Sequence, residues 1–280
     1  MRKYDFLKIP SYFVLCLLAF FTCACSEGCI PTEKYERIVQ LTAPLPTGSL
    51  FEAQTHNGDI NITGSNVAEC NLIATITARA DTIENAQKLA EAVEVKLVPS
   101  DSKLIAKIEK PELAPDECIC ISFDVTVPNQ TNTNLTTHNG ALKIKNLTGQ
   151  INGTTHNGEV TAEKIAGTVE LQTHNGEITC KDAAGNIKLQ THNGNAEAFY
   201  SATAPPVCNA SIITHNGNVS ITTPPNLSAK IEISTHNGSI DTDLPITVTG
   251  EVTENKLTGT IGKGEGKLYL ETYNGSIKIK

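Results

Sequence analysis

The 280-residue chain has no tryptophan and one methionine, and aromatic residues make up 5% of it. Four of its seven phenylalanines, Phe6, Phe13, Phe20 and Phe21, fall in the first 21 residues. The remainder has three Phe and four Tyr, which excludes a thick globular interior. A folded body must be narrow and filled by Val, Ile, Leu, Ala and Thr. Basic residues are also scarce, 22 against 30 acidic ones, for a net charge of −8. That balance excludes the basic surface a nucleic-acid backbone requires. The longest apolar stretch is IPSYFVLCLLAFF, 13 residues, short of the roughly 20 that cross a bilayer as a helix. Catalytic signatures are missing too: there is no GxSxG, no phosphate-cradling glycine loop and no HExxH. Histidine is confined to one repeated motif, so no catalytic residue is assigned and the chain is expected not to be an enzyme.

The leader carries an address. MRKYDFLK is a basic segment, the 13 apolar residues follow, and small residues then precede a cysteine in Phe21-Thr22-Cys23-Ala24-Cys25. This resembles the bacterial lipobox. The resemblance implies a lipoprotein signal peptide over 1–24, lipidation at Cys25 and a linker over 25–34. The implied address is the cell envelope, lipid-anchored to the outer membrane or on the periplasmic face. An ordinary secreted protein and an uncleaved anchor are the competing readings, and all three export the chain. Beyond Cys25 stand Cys29, Cys70, Cys118, Cys120, Cys180 and Cys208, for which an oxidising compartment allows disulfides whose pairing spacing cannot choose. Cys118 and Cys120 form C-x-C, not the C-x2-C spacing typical of zinc sites.

What the chain has in abundance is one tetrapeptide. THNG begins at Thr55, Thr137, Thr155, Thr173, Thr191, Thr214 and Thr235, and TYNG begins at Thr272. From Thr137 the intervals are 18, 18, 18, 23, 21 and 37. The last is close to two periods, which predicts a rung that has lost its tetrad. Before each tetrad apolar and polar residues alternate: Val169, Leu171 and Thr173 on one face, Glu170, Gln172 and His174 on the other. That is a strand with one buried side. Alternation resumes at Ile178 and Cys180, an odd offset from Thr173, so the chain turns at Asn-Gly, where Gly takes positive φ and Asn tolerates it. A second set of corners recurs at Gly149, Gly167 and Gly185, again 18 apart.

An antiparallel meander of Asn-Gly hairpins gives no reason for identical residues at every second corner. A solenoid does, because stacked coils place equivalent residues about 4.8 Å apart. The expected fold is therefore all-β: a single-chain β-solenoid (β-helix) with coils of about 18 residues. The folded domain is expected over 35–280, with a β-rich start over 35–130 and regular repeats over 131–280. The start carries one helix at about 82–95, N-capped by Asp81, with Ile83, Ala86, Leu89, Ala90 and Val93 inward. The early rung at Thr55 is expected to stack on the rung at Thr137.

THNGDINIT, THNGALKIK, THNGEVTAE, THNGEITCK and TYNGSIKIK, with the helix-bearing interval between the first two, resemble the putative adhesin family of bacterial envelope proteins. The resemblance covers roughly residues 35–280 and implies an exported β-helix. Within each tetrad, Thr is expected to point inward and bond the next rung. Asn139, Asn157, Asn175, Asn193, Asn216 and Asn237 are expected to form an amide ladder at the corner. His138, His156, His174, His192, His215 and His236 point outward with no evident structural duty. Three readings follow. The face is displayed to a surface polymer, glycan or envelope protein; or the imidazoles bind a transition metal; or the chain is a purely structural envelope component. No other cofactor is expected, and the membrane is engaged through the lipid anchor alone.

Overall fold

A computed structural model describes residues 32–280. The leader and Cys25 lie outside the described residues. Two sheet faces enclose a narrow core and meet at the tetrads. Strands of the leading face run into a tetrad, and strands of the trailing face leave it.

The central coils keep the 18-residue register. Strand Val160–Asn175 lies parallel to Ile178–Asn193, with Val160 opposite Ile178, Leu171 opposite Leu189 and Asn175 opposite Asn193. Each of these strands runs along the trailing face, turns at the second corner and continues along the leading face. Inward Val169, Leu171 and Thr173 are buried while Glu170 and Gln172 face out. Each fully buried Val, Leu or Ile contributes roughly 1.5–3 kcal/mol, so a core of stacked aliphatics can hold a body this thin. The fully buried rings Phe51 and Phe123 add bulk near the amino-terminal end.

On the leading face Leu50–Gln54 stacks on Asn132–Thr136, then come Thr148–Thr154 and the two long strands, then Asn209–Asn216. On the trailing face Ile60–Ser65 stacks on Leu142–Lys145, followed by the long strands, Ala196–Tyr200 and Val219–Thr222. The early rung therefore joins the stack, and Asn57 bridges to Asn139.

Spatial order departs from chain order after Asn216. The interval of 37 residues does not hide a lost tetrad. It contains an antiparallel hairpin, Thr247–Thr253 with Lys256–Ile261, whose second strand lies against Ala229–Asn237. The chain then re-enters the stack, and Gly266–Asn274 runs parallel between Asn209–Asn216 and Ala229–Asn237. Ile277–Ile279 does the same between Val219–Thr222 and Ile240–Thr242. The carboxy-terminal coil is thus an inner one. The hairpin pairs along the edge that Ala229–Asn237 would otherwise leave open.

The amino-terminal part is antiparallel. Glu33–Pro44 pairs with Glu69–Ala80, which pairs with Cys118–Pro128, which continues the trailing face through Ile60–Ser65. The hairpin Glu94–Ser100 with Lys103–Glu109 extends the leading face through Leu50–Gln54. The helix is shorter than its expected span, Ile83–Glu91. Its N-cap is Thr82, which accepts from the Asn85 amide at 3.2 Å, whereas Asp81 accepts from the Asn85 side chain at 2.8 Å. Arg37 Nη1 donates to the carbonyls of Ala90 and Val93, both at 3.0 Å, satisfying groups that a longer helix would have used itself. Ala86, Leu89, Ala90 and Val93 are buried, but Ile83 faces solvent.

Candidate interaction surface: the ring column

The tetrad puts its four side chains to different uses. Threonine is buried, and its hydroxyl donates to the glycine carbonyl of the neighbouring rung. Thr155 bonds Gly140, Thr173 bonds Gly158 and Thr191 bonds Gly176, at 2.9, 3.0 and 2.9 Å. The same bond survives the irregular intervals, with Thr214 to Gly194 at 2.9 Å, Thr272 to Gly217 at 2.8 Å and Thr235 to Gly275 at 2.8 Å. Asparagines form a continuous amide ladder. Asn139 Nδ2 donates to Asn57 Oδ1, Asn157 to Asn139, Asn175 to Asn157, Asn193 to Asn175 and Asn216 to Asn193, each at 2.8 Å. Asn274 donates to Asn216 and Asn237 to Asn274, both at 2.7 Å.

Glycine is required here by close approach. A Cβ on Gly158 would stand 2.0 Å from the Gly140 carbonyl oxygen. At this corner positive φ falls on glycine, as expected, at Gly58, Gly194, Gly217 and Gly275, while none of the tetrad asparagines is left-handed. At the second corner it falls on non-glycine residues too, Asn146, Lys164 and Asp182, with φ of 55°, 56° and 58°. There a polar side chain or glycine is needed to turn the chain.

The fourth side chain has no lateral bond of that kind. The imidazoles are exposed and stack ring on ring. Centroids lie 4.8 Å apart from His56 to His138, His156, His174 and His192, and 4.7 Å from His192 to His215. Tyr273 then enters the column, 4.9 Å from His215 and 4.5 Å from His236. His215 and His236 are therefore not neighbours, because the re-entrant coil separates them. The histidines expected from sequence are brought together with two rings outside that set, His56 and Tyr273, and with Asn57 and Asn274 in the ladder. The tetrads THNG at Thr55 and TYNG at Thr272 were the signal that they belong.

Most ring pairs lie within 25° of parallel, while the two involving His138 are tilted by 35° and 36°. His138 Nδ1 lies 3.2 Å from Asn139 Oδ1. Parallel rings at this spacing aim their nitrogens in one direction, so neighbours do not converge on a common point. Among the described residues no three His, Cys, Asp or Glu are grouped to hold a metal ion. At the amino-terminal end the His56 pKa is lowered, first by burial, then by the charge of His138 and of Lys110.

A trough runs beside the column. Its near wall is the ring row, its floor the tetrad threonines, and its far wall the side chains two residues before each ring. Two stretches, about 450 and 540 Å³, cover the rungs from Gln54 to Tyr273. The far wall follows the strand register: Gln54, Thr136, Thr154, Gln172 and Gln190, then Ile213 and Glu271.

None of the described cysteines lines this trough. Cys118 is disulfide-bonded, and Cys70, Cys180 and Cys208 are buried thiols. Burial pushes Cys70 and Cys180 up to about 12, which makes them unreactive. Among the described residues no helix is long and apolar enough to cross a membrane.

The family model described as Toastrack DUF4097 matches residues 131–280, more than half of the chain. The chain belongs to this family. The matched Toastrack part begins beside strand Asn132–Thr136 and contains every tetrad except the first. No curated protein matches the chain. Three solved structures are similar to it. A putative cell adhesion protein from Clostridium sporogenes is 16% identical, with 87% of this chain and 99% of that one covered and a TM-score of 0.38. A putative adhesin from Bacteroides fragilis is 13% identical, covering 89% and 99%, with a TM-score of 0.39. A putative lipid binding protein from Parabacteroides distasonis is 11% identical, covering 87% and 97%, with a TM-score of 0.32.

Proposed function

We propose that this Toastrack protein is a non-enzymatic cell-envelope protein. In this reading the leader exports it, Cys25 holds it to a membrane by a lipid, and the ring column with its trough is presented to a partner. One observation carries the reading. In the repeated tetrad Thr, Asn and Gly are consumed by bonds or close packing between rungs, while the ring is exposed, makes no such bond to the next rung and touches chiefly other rings. Solvation alone would be served by any polar residue at that position. A rigid solenoid suits such presentation, because the groups are already ordered and binding costs little further conformational entropy.

The test is attachment. Beads carrying the full chain are expected to adhere to isolated bacterial cell-wall material and to whole cells. Replacing His156, His174 and His192 by alanine together should cut adhesion at least tenfold while the thermal midpoint moves by only a few degrees. Unchanged adhesion of a folded triple variant would sink the reading. Lipidation is checked separately by metabolic labelling with a fatty acid, which Cys25→Ala should abolish.

A further inference from the structure

We infer that the trough binds an unbranched, uncharged polysaccharide lying along the stack, with one sugar unit per rung. The inference rests on the reading of this face as an interaction surface and names its partner class.

The walls state what they can recognise. Ring faces are hidden in the stack, so the column offers edges rather than a flat platform. A neutral imidazole edge has one N–H donor and one nitrogen acceptor, a glutamine amide has both functions, and a threonine or tyrosine hydroxyl has both. Gln172 and Gln190 thus face His174 and His192 across the floor, with Thr154 and His156 on the next rung. Every one of these groups both gives and takes hydrogen bonds, which is also the character of a sugar hydroxyl. Charge is sparse: Lys110 stands at the amino-terminal end and Glu271 at the other. With a net charge of −8 on the chain, a polyanion finds no counterpart here.

The repeat narrows the choice further. Ring centroids recur every 4.5–4.9 Å. An extended peptide advances about 3.3 Å per residue, so its groups fall out of step with the rungs after one position. An extended β-linked pyranose chain advances by nearly one rung per sugar and stays in step. Another β-stack would also stay in step. The trough, however, is only as wide as two residues along a strand, far short of the roughly 800 Å² per partner that a stable protein pair buries. A single polymer chain is the occupant that its width admits.

Titration of the full chain with cello-oligosaccharides of two to six units tests this, with chitohexaose and mannohexaose as further linear probes. Affinity should rise stepwise with length, reaching at least a hundredfold between the disaccharide and the best hexasaccharide. Maltohexaose, which coils and loses step, should bind at least tenfold more weakly than the best linear hexamer. Gln172→Ala and His174→Ala, with unchanged melting, should each weaken that hexamer about tenfold. Length-independent binding, or no binding by any linear hexasaccharide, would overturn the inference. So would His174-dependent self-association in sedimentation, which would assign the trough to a second copy. Should the triple histidine variant lose adhesion while every hexasaccharide fails to bind, the interaction surface stands and the polysaccharide falls.

Discussion

Each coil turns twice, and the two corners are held differently. At the second corner glycine recurs at Gly149, Gly167 and Gly185, but the left-handed position is filled in turn by Asn146, Lys164 and Asp182. Glycine packs there as closely as in the tetrad, a Cβ on Gly185 standing 2.0 Å from the Gly167 carbonyl oxygen, but no other residue type recurs at all three. At the tetrad corner Thr, Asn and Gly are kept in all eight copies by bonds or contacts between rungs, and a ring, His or Tyr, is kept with them. The difference teaches that bonds and close packing between rungs explain Thr, Asn and Gly, whereas the ring is tied to the stack by its ring neighbours alone.

The largest break in this comparison should come from Gly158→Ala. Its Cβ would stand 2.0 Å from a backbone oxygen that cannot move without opening the rung, so a loss of about 3 kcal/mol or more is expected in a urea melt. At the second corner Gly149→Ala meets a side-chain oxygen, Asn132 Oδ1, at 2.7 Å, which can yield, so that its cost, about 1–2 kcal/mol, comes mainly from the φ of 146°. Next in size is Asn157→Ala. It removes two amide bonds, to Asn139 Oδ1 and from Asn175 Nδ2, at positions water can reach, for a loss of about 1–2 kcal/mol by the same melt. Thr173→Val keeps the shape and removes one hydroxyl bond to Gly158, about 1 kcal/mol.

The smallest effect concerns pH. His56 has a lowered pKa in the fold, so the unfolded chain binds its proton more readily. Its stabilising contribution is complete above the unfolded value of about 6.5 and declines as pH falls below it. His56→Gln should therefore flatten the acid side of a plot of Tm against pH. A wild-type slope that is unchanged in the variant would remove His56 from the account.

Most of the solenoid was legible because equal spacing in sequence becomes equal height in space. Val169, Leu171 and Thr173 announce a buried face by alternation alone, and the 18-residue step fixes which residues lie above one another. Two things were not legible. Order along the axis is not written in the intervals, so a span of 37 residues could equally hold a silent rung or a hairpin, and the paired strands around residues 247–261 decide for the hairpin. The helix end was misplaced because its closing carbonyls are met by Arg37, 53 residues upstream of Ala90, a partner that local sequence does not reveal. Of the candidate site, the outward histidines were visible by parity. Tyr273 was visible as a variant but not as an inner member, since its place depends on the re-entrant coil.

That coil sets a rule for synthesis. Residues 266–280 are made after both of the coils that flank them. Until then neither flanking strand has its native neighbour on that side. A chain cut before residue 266 would lose an interior coil, not an end one.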